Sequence, residues 1–342
     1  MFAQAPFEVV DQIVGYLDIK DVRSIARVCS AFRLLAQLQL FRVIELQADY
    51  NEPYPDRIES ILSTPHLLQC VSQLYVRVYD DSAHQMQTFF HSLLPRLPMM
   101  YRLGSMEIDL HHDDCSRALF AVASLGPEKK IALSLACEPD PEFLISDSPL
   151  PVHSLEFHVG HYQVATRLIQ KCSQSLHNLD ISLPDNTTLP LPFLPHLCEF
   201  SVDSSRNDLD LMSWFPFLDQ HPTITRISLY PFTLAVQPSP NLLPNLQFLR
   251  APPQIIKRLI PGRLVNHVIA TYNSQITDRF LDDIMLQPLR QPFVSVTTLV
   301  ISTPGHFPNT IPNTFLINID QALPKLRKFK MRWHCYEVRE LS

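Results

Sequence analysis

The sequence predicts an α/β repeat protein in which a short helical segment precedes a series of parallel strands. Two observations lead to this prediction. Apolar residues spaced three and four positions apart run through the first 42 residues, as they do on short amphipathic helices. Beyond them, the pattern apolar-x-x-apolar-x-apolar returns at steps of 19 to 32 residues down the chain. The final apolar pair of each pattern alternates as a short strand does.

The spacing of apolar residues predicts three short helices in the opening segment. Val10, Ile13 and Leu17 follow the helical period, and Asp18 is placed to cap a second helix with Asp21 near its positive end. These helices are too small to bury all their apolar residues by themselves. Spacing alone leaves two interpretations open, because the apolar faces can pack on the rest of the chain or on a partner.

The order of residues in this segment resembles the F-box, whose members begin Leu-Pro-x-Glu, continue to Leu-Asp and end on Val-Cys-x-x-Trp. Here the chain has Ala-Pro-Phe-Glu at 5–8, Leu-Asp at 17–18 and Val-Cys-Ser-Ala-Phe at 28–32. Ala5 replaces the leading leucine and Phe32 replaces the tryptophan, while the aromatic character is kept. We expect both departures to bear on the strength of docking.

The resemblance implies a docking module, residues 1–42, for a Skp-type adaptor and through it a cullin ubiquitin ligase. The ligase chemistry would then belong to other subunits. Spacing does not say which implied residues point outward and which close the helical core. The residues that the resemblance assigns to the docking face or its support are Pro6, Val10, Ile13, Leu17, Val22, Val28, Cys29 and Phe32.

The remaining residues, 43–342, carry the spacing that is typical of leucine-rich repeats. It predicts an irregular leucine-rich-repeat solenoid with a parallel concave sheet, because each unit alone leaves its apolar face in water. The Asn or Cys that usually follows each Leu-x-Leu is mostly absent, so the usual turn ladder is unsupported. An ordinary α/β domain with coincidental leucine spacing is the alternative. The central residues of the patterns are Ile44, Leu74, Met106, Leu133, Leu155, Leu179, Phe200, Ile227, Leu249, Val268, Leu299 and Phe329.

The residues flanking each inward apolar pair are expected to face a protein target. Their charge is graded, since the middle of the chain is acidic while residues 323–342 hold six basic and two acidic side chains. Such charge either steers a partner or serves solubility alone. The candidate target-binding residues are Tyr75, Arg77, Glu107, Asp109, Glu156, His158, Asp180, Asp203, Tyr230 and Arg250.

Nothing in the sequence favours catalysis. The chain has 6 glycines, no two of them close enough for a dinucleotide fingerprint or a P-loop, and its 7 cysteines form no C-x-x-C pair. The densest group of metal-capable side chains is His111 to Cys115. Adjacent residues point in different directions, so a polar loop explains it better than zinc. We expect no cofactor and no resident metal.

Partners other than proteins are not expected. The net charge of −6 opposes broad nucleic-acid affinity, and prolines interrupt the longest uncharged run. With no signal-peptide pattern, we expect a cytoplasmic or nuclear location. The leading hypothesis is a non-catalytic substrate receptor of a Skp–cullin–F-box ligase. The alternatives are an interaction scaffold without ligase coupling and a metal-dependent enzyme at 111–115.

Overall fold

The computed structural model divides the chain into two compact units, residues 1–157 and residues 158–342. The structure describes residues 7–48, 61–78, 92–110, 119, 122–126, 128–135, 148–184, 189–204, 209–230, 232–234, 238–239, 241–271, 295–303, 319 and 323–333.

The first unit opens with three helices, as the sequence predicts. They are α1 (Phe7–Gly15), α2 (Ile19–Ile25) and α3 (Ser30–Leu40). The Asp18 carboxylate accepts a hydrogen bond from the backbone N–H of Asp21 at 2.9 Å, which makes it the N-cap of α2. The predicted cap is therefore confirmed, and Asp21 lies in the first turn, where a negative charge is favourable.

These helices, which we call the helical module, have a small core of their own. Helix α3 packs on both α1 and α2, and the Gln39 amide donates to the Asp11 carboxylate at 3.2 Å, linking α3 to α1. The core consists of Val10, Val14, Val22, Leu35 and Ala36, with Leu17, Ala26, Phe32 and Leu40 packed against it.

The rest of the first unit is a run of parallel strands that pair in chain order. The strands are β1 (Val43–Ala48), β2 (Gln73–Val78), β3 (Ser105–Leu110), β4 (Lys130–Leu135) and β5 (Val152–His158). The described connections include a short helix, α4 (Pro65–Leu68), and a 3₁₀ turn, Leu94–Met99. Neighbouring parallel strands need a connection that returns the chain to the same end of the sheet. A repeat with one strand per unit therefore contains one such crossover.

The register of the first unit confirms three of the predicted central residues and corrects the next one. Ile44 pairs with Leu74, and Leu74 with Met106, but Met106 pairs with Ile131 and not with Leu133. The register between β4 and β5 then shifts after Ile131, so that Leu133 faces Leu155. An extra residue on β5, His153, absorbs the shift as a bulge does.

The second unit continues the same plan. Its main strands, β6, β7, β9, β11, β12, β13 and β14, pair in parallel in that order, and β8 pairs separately with β10. The strands are β6 (Asn178–Leu183), β7 (Glu199–Ser204), β8 (Leu209–Asp210), β9 (Arg226–Tyr230), β10 (Phe232–Thr233), β11 (Phe248–Ala251), β12 (His267–Thr271), β13 (Thr298–Thr303) and β14 (Lys328–Trp333). The helices whose bounds lie in the described part of this unit are α5 (Tyr162–Cys172), α6 (Phe215–Gln220) and α7 (Pro253–Leu259), with a 3₁₀ turn at Leu211–Trp214.

Every predicted central residue of the second unit lies in one continuous row. Their pairing in register is confirmed for Leu179, Phe200, Ile227, Leu249, Val268, Leu299 and Phe329. In most of these strands alternate residues are buried, as in β6, where Leu179, Ile181 and Leu183 face the core. The intervening residues form what we call the exposed face of each sheet. Strand β13 differs, because Val300 and Ser302 are buried as well as Leu299 and Ile301.

Backbone carbonyls just before the strands form a ladder of hydrogen bonds between neighbouring repeats. The carbonyl of Cys198 accepts hydrogen bonds from the N–H groups of Thr225 and Arg226 at 2.9 and 3.1 Å. The carbonyl of Thr225 then accepts from Gln247 and Phe248 in the next repeat. The same double acceptance recurs at Arg42, Ser72, His177, Gln247, Asn266 and Thr297. Because this ladder uses only the main chain, it tolerates the irregular repeat sequences.

The α/β class and the parallel leucine-rich-repeat sheet preceded by three helices are therefore confirmed. The boundary at residues 42 and 43 falls between α3 and β1 and stays a prediction as a domain boundary.

Candidate functional site

The helical module exposes large apolar side chains from all three helices and their connections. Val9 and Ile13 are one turn apart on α1, and Tyr16 follows three residues later, so they lie along one side of that helix. The exposed fraction runs from 43% for Ile13 to 91% for Tyr16. We call this set, Val9, Ile13, Tyr16, Ile19, Val28 and Leu34, the module surface.

The structure separates the predicted docking residues into core and surface. Val10 and Val22 are buried in the module core, and Leu17 and Phe32 pack against it. Three of the predicted residues are exposed, namely Ile13, Val28 and Cys29. Pro6 lies outside the described residues.

Sequence reasoning did not single out Val9, Tyr16, Ile19 or Leu34, although the structure exposes them with Ile13 and Val28. One signal was present: Val9 and Ile13 are four residues apart, beside the Val10 and Val14 pair that is buried. Two adjacent apolar stripes on one short helix indicate that only one of them fits the small core.

The exposed face of the first unit carries several of the predicted target-binding residues. Tyr75 pairs in register with Glu107, and Arg77 with Asp109. The Arg77 guanidinium also lies 3.5 Å from the Glu107 carboxylate. Both side chains are more than a third exposed, so this ion pair contributes at most about 1 kcal/mol and leaves the face hydrated. Glu156 is exposed on β5.

In the second unit, the first strands of the exposed face are acidic. Asp180 lies opposite Ser201, while Asp203 lies between Ser182 and Tyr230. Partial burial raises the pKa of Asp203, and the negative charge of Asp180 acts in the same direction. A hydrogen bond from the Ser204 N–H and the charges of Arg250 and His158 act in the opposite direction.

A lateral chain of contacts links the next strands. The Arg226 guanidinium lies 2.9 Å from the Glu199 carboxylate and stacks over the Phe248 ring at 4.2 Å from its centroid. The Phe248 ring in turn contacts the His267 imidazole, with centroids 4.9 Å apart. These four residues belong to one row across β7, β9, β11 and β12.

The last described strand is basic. Lys328, Lys330 and Arg332 are exposed and alternate with Phe329 and Met331, so their side chains share one face of β14. Burial lowers the pKa of His267, and the positive charges of Arg226, Lys328 and Arg332 lower it further. The exposed face of the second unit thus changes from acidic at β6 and β7 to basic at β14.

The predicted metal-capable group, His111 to Cys115, lies outside the described residues. Within the part of the chain that the structure describes, no three His, Cys, Asp or Glu side chains are grouped to hold a metal ion. None of the described helices is both long and apolar enough to cross a membrane.

Comparisons with known proteins add little beyond the fold. No family model matches the chain, and no curated protein matches it significantly. A leucine-rich repeat-containing protein, LegL7, from Legionella pneumophila is a similar solved structure, with a TM-score of 0.47, 13% identity and coverage of 85% of this chain and 90% of that one. An internalin, InlF, from Listeria monocytogenes has a TM-score of 0.41, 12% identity and coverage of 94% and 90%. Both resemble this chain too weakly to assign a function.

Proposed function

We propose that the protein is a non-catalytic substrate receptor of a Skp–cullin–F-box ubiquitin ligase. In this proposal the helical module docks the adaptor, and the repeat strands present a target protein through their exposed faces. The observation that carries it is the module surface. A small helical unit with its own core, and with large apolar side chains turned to solvent, has the character of a protein interface.

The F-box-like sequence order supports the choice of partner. Asp18 of the Leu-Asp pair is the N-cap residue of α2. In the Val-Cys-x-x-aromatic motif, Cys29 is the N-cap residue of α3, which begins at the next residue. Phe32, the residue that departs from the usual tryptophan, packs against the module core. We therefore expect this departure to act mainly on the stability of the module.

The test is co-purification of the full chain with a Skp-type adaptor. We expect the wild-type chain to retain the adaptor and Ile13→Lys or Val28→Lys to lose it, because each would place an unpaired charge in a buried apolar contact. Leu264→Lys is the matched control, since Leu264 is an apolar residue of the second unit that is exposed to 73%, compared with 69% for Val28. It should bind the adaptor as the wild type does.

The alternative is a protein-interaction scaffold without ligase coupling. It keeps the repeat strands as the binding surface and gives the helical module another partner or none. A folded full chain that does not bind the adaptor would favour this alternative. A folded Ile13→Lys, Val28→Lys double variant that still binds it would contradict the docking assignment.

A further inference from the structure

Strand β14 places three cations at alternate positions on the exposed face of the second unit. Lys328, Lys330 and Arg332 are all exposed, and residues two apart on a strand are about 6.6 Å apart on the same side. We call these three residues the basic stripe. Alternate residues of any extended peptide have the same spacing, so an extended chain beside the stripe can present a charged group to each cation.

The basic stripe itself carries the positive charge at this end of the sheet, because the paired positions on β13 are Thr298, Val300 and Ser302, and Val300 and Ser302 are buried. Arg250 lies in the same register row as Lys330 but three strands away, or about 14 Å. No salt bridge among the described residues involves Arg250 or any member of the basic stripe. The three members of the basic stripe are therefore available to an anionic partner, whereas the charge of Arg250 also acts on Asp203.

The pKa of His267 responds to the positive charge of the basic stripe. The imidazole lies two strands from β14, yet the charges of Lys328 and Arg332 lower its pKa, adding to the effects of burial and of Arg226. The charges of Lys328 and Arg332 thus act together on a side chain two strands away.

We propose that the basic stripe binds an extended acidic segment of a partner protein, with phosphate or carboxylate groups at alternate residues. Charge-assisted hydrogen bonds from lysine and arginine to such oxygens are strong, and the arginine fork also fits phosphate geometry. The proposal does not depend on adaptor docking, because it uses no residue of the helical module.

The same face disfavours a nucleic acid. Asp180, Glu199 and Asp203 lie on β6 and β7, and β7 is five strand spacings from β14, or about 24 Å. A long polyanion lying across the strands would reach these carboxylates, and the net charge of −6 would oppose it further. A short acidic segment confined to β14 and its neighbours avoids both penalties.

The probe is a fluorescent ten-residue peptide with phosphoserine at three alternate positions. Its binding to the full chain is measured by anisotropy at 50 mM and 200 mM salt, beside the unphosphorylated peptide and a glutamate version. We expect the phosphopeptide to bind at least tenfold more tightly than the unphosphorylated one, the glutamate version to be intermediate, and the affinity to fall with salt. A peptide with three contiguous phosphoserines should bind more weakly than the alternating one.

The variant is Lys328→Glu, Lys330→Glu, Arg332→Glu, and the control is Lys257→Glu on the exposed side of α7. We expect the triple variant to lose at least tenfold in phosphopeptide affinity and the control to lose none. Thermal unfolding shows that both are folded. As an independent readout, the His267 imidazole resonances should report a raised pKa when the peptide binds, because the added anion offsets the nearby cations.

Three results would overturn the proposal. The first is equal phosphopeptide affinity in the wild type and the folded triple variant. The second is no phosphopeptide binding at 50 mM salt. The third is tighter binding of a 20-nucleotide single-stranded DNA than of the phosphopeptide, which would identify the stripe as a nucleic-acid surface.

Discussion

The imidazole Nε2 of His221 accepts a hydrogen bond from the backbone N–H of Leu194, with the two nitrogens 2.8 Å apart. The other ring nitrogen, Nδ1, lies 2.6 Å from the Phe217 carbonyl, to which it donates. His221 is thus a neutral imidazole with its proton on Nδ1, buried between two repeats of the second unit. It ties the end of α6 to the loop before β7.

This geometry predicts a loss of stability in mild acid. Burial lowers the pKa of His221 in the folded state, so the unfolded chain binds the proton more readily. The contribution of His221 to the free energy of unfolding is therefore complete above about pH 6.5, the ordinary pKa of histidine. It decreases as the pH falls toward the lower pKa of the folded state.

Urea unfolding of the wild type and of His221→Phe from pH 5 to 8 measures this contribution. We expect the variant to lose about 1–3 kcal/mol at pH 8 and to show a flatter pH dependence. Parallel pH profiles would contradict the assignment.

A second prediction concerns a buried arginine in the same unit. Arg263 is almost fully buried and donates to the backbone carbonyls of Leu242, Leu259, Pro261 and Ser239, and burial lowers its pKa to about 10. Gly262 before it has a φ of 81°, a left-handed conformation that sets up the turn. Arg263→Met should lower the free energy of unfolding by about 3 kcal/mol, because it leaves buried carbonyls without a donor.

Denaturant unfolding of Arg263→Met is to be compared with Lys257→Met, an exposed cation in the preceding helix. The control should lie within about 0.5 kcal/mol of the wild type. A comparable loss in both variants would mean that the Arg263 hydrogen bonds do not carry the stability of this turn.

The repeat strands were predictable, since a buried parallel strand must place apolar residues at alternate positions whatever its partners are. The shifted register at Ile131 was not, because the bulge at His153 is a property of the pairing between two strands and not of either sequence alone. Arg263 was also missed. A cation that follows Pro-Gly in the sequence predicts a solvent-exposed turn. The burial of Arg263 depends instead on backbone carbonyls up to 24 residues away in the sequence, such as that of Ser239.

The candidate surfaces were predictable to a different extent. Strand alternation predicts that residues such as Asp203 and Arg250 turn away from the core, and both are exposed, while their role in binding stays a prediction. Helical spacing could not separate Val10 from Ile13, because two neighbouring stripes on a short helix are equally apolar. Only the packing of α3 on α1 decides which stripe is buried.

That separation gives a third prediction, on the helical module. Val14→Ala should destabilise the module by about 2 kcal/mol, because Val14 is buried in its core and the change leaves a cavity. Ile13→Ala should leave its stability within about 0.5 kcal/mol, since nearly half of that side chain already faces solvent. Amide hydrogen exchange of α1 and α3 in the full chain reports the difference. Equal loss of protection in the two variants would show that Ile13 also belongs to the core.

The last prediction concerns thiol reactivity. Burial raises the pKa of the Cys172 thiol to about 12, so it is not a thiolate at neutral pH, whereas Cys29 is exposed before α3. Brief treatment of the native protein with iodoacetamide at pH 8, followed by peptide mass spectrometry, should modify Cys29 at least tenfold faster than Cys172. In urea the two rates should become similar, because unfolding removes the burial that protects Cys172. Rapid modification of Cys172 in the native protein would mean that α5 opens far more often than its packing predicts. If adding a Skp-type adaptor protects Cys29 from modification, that residue lies within the docking interface.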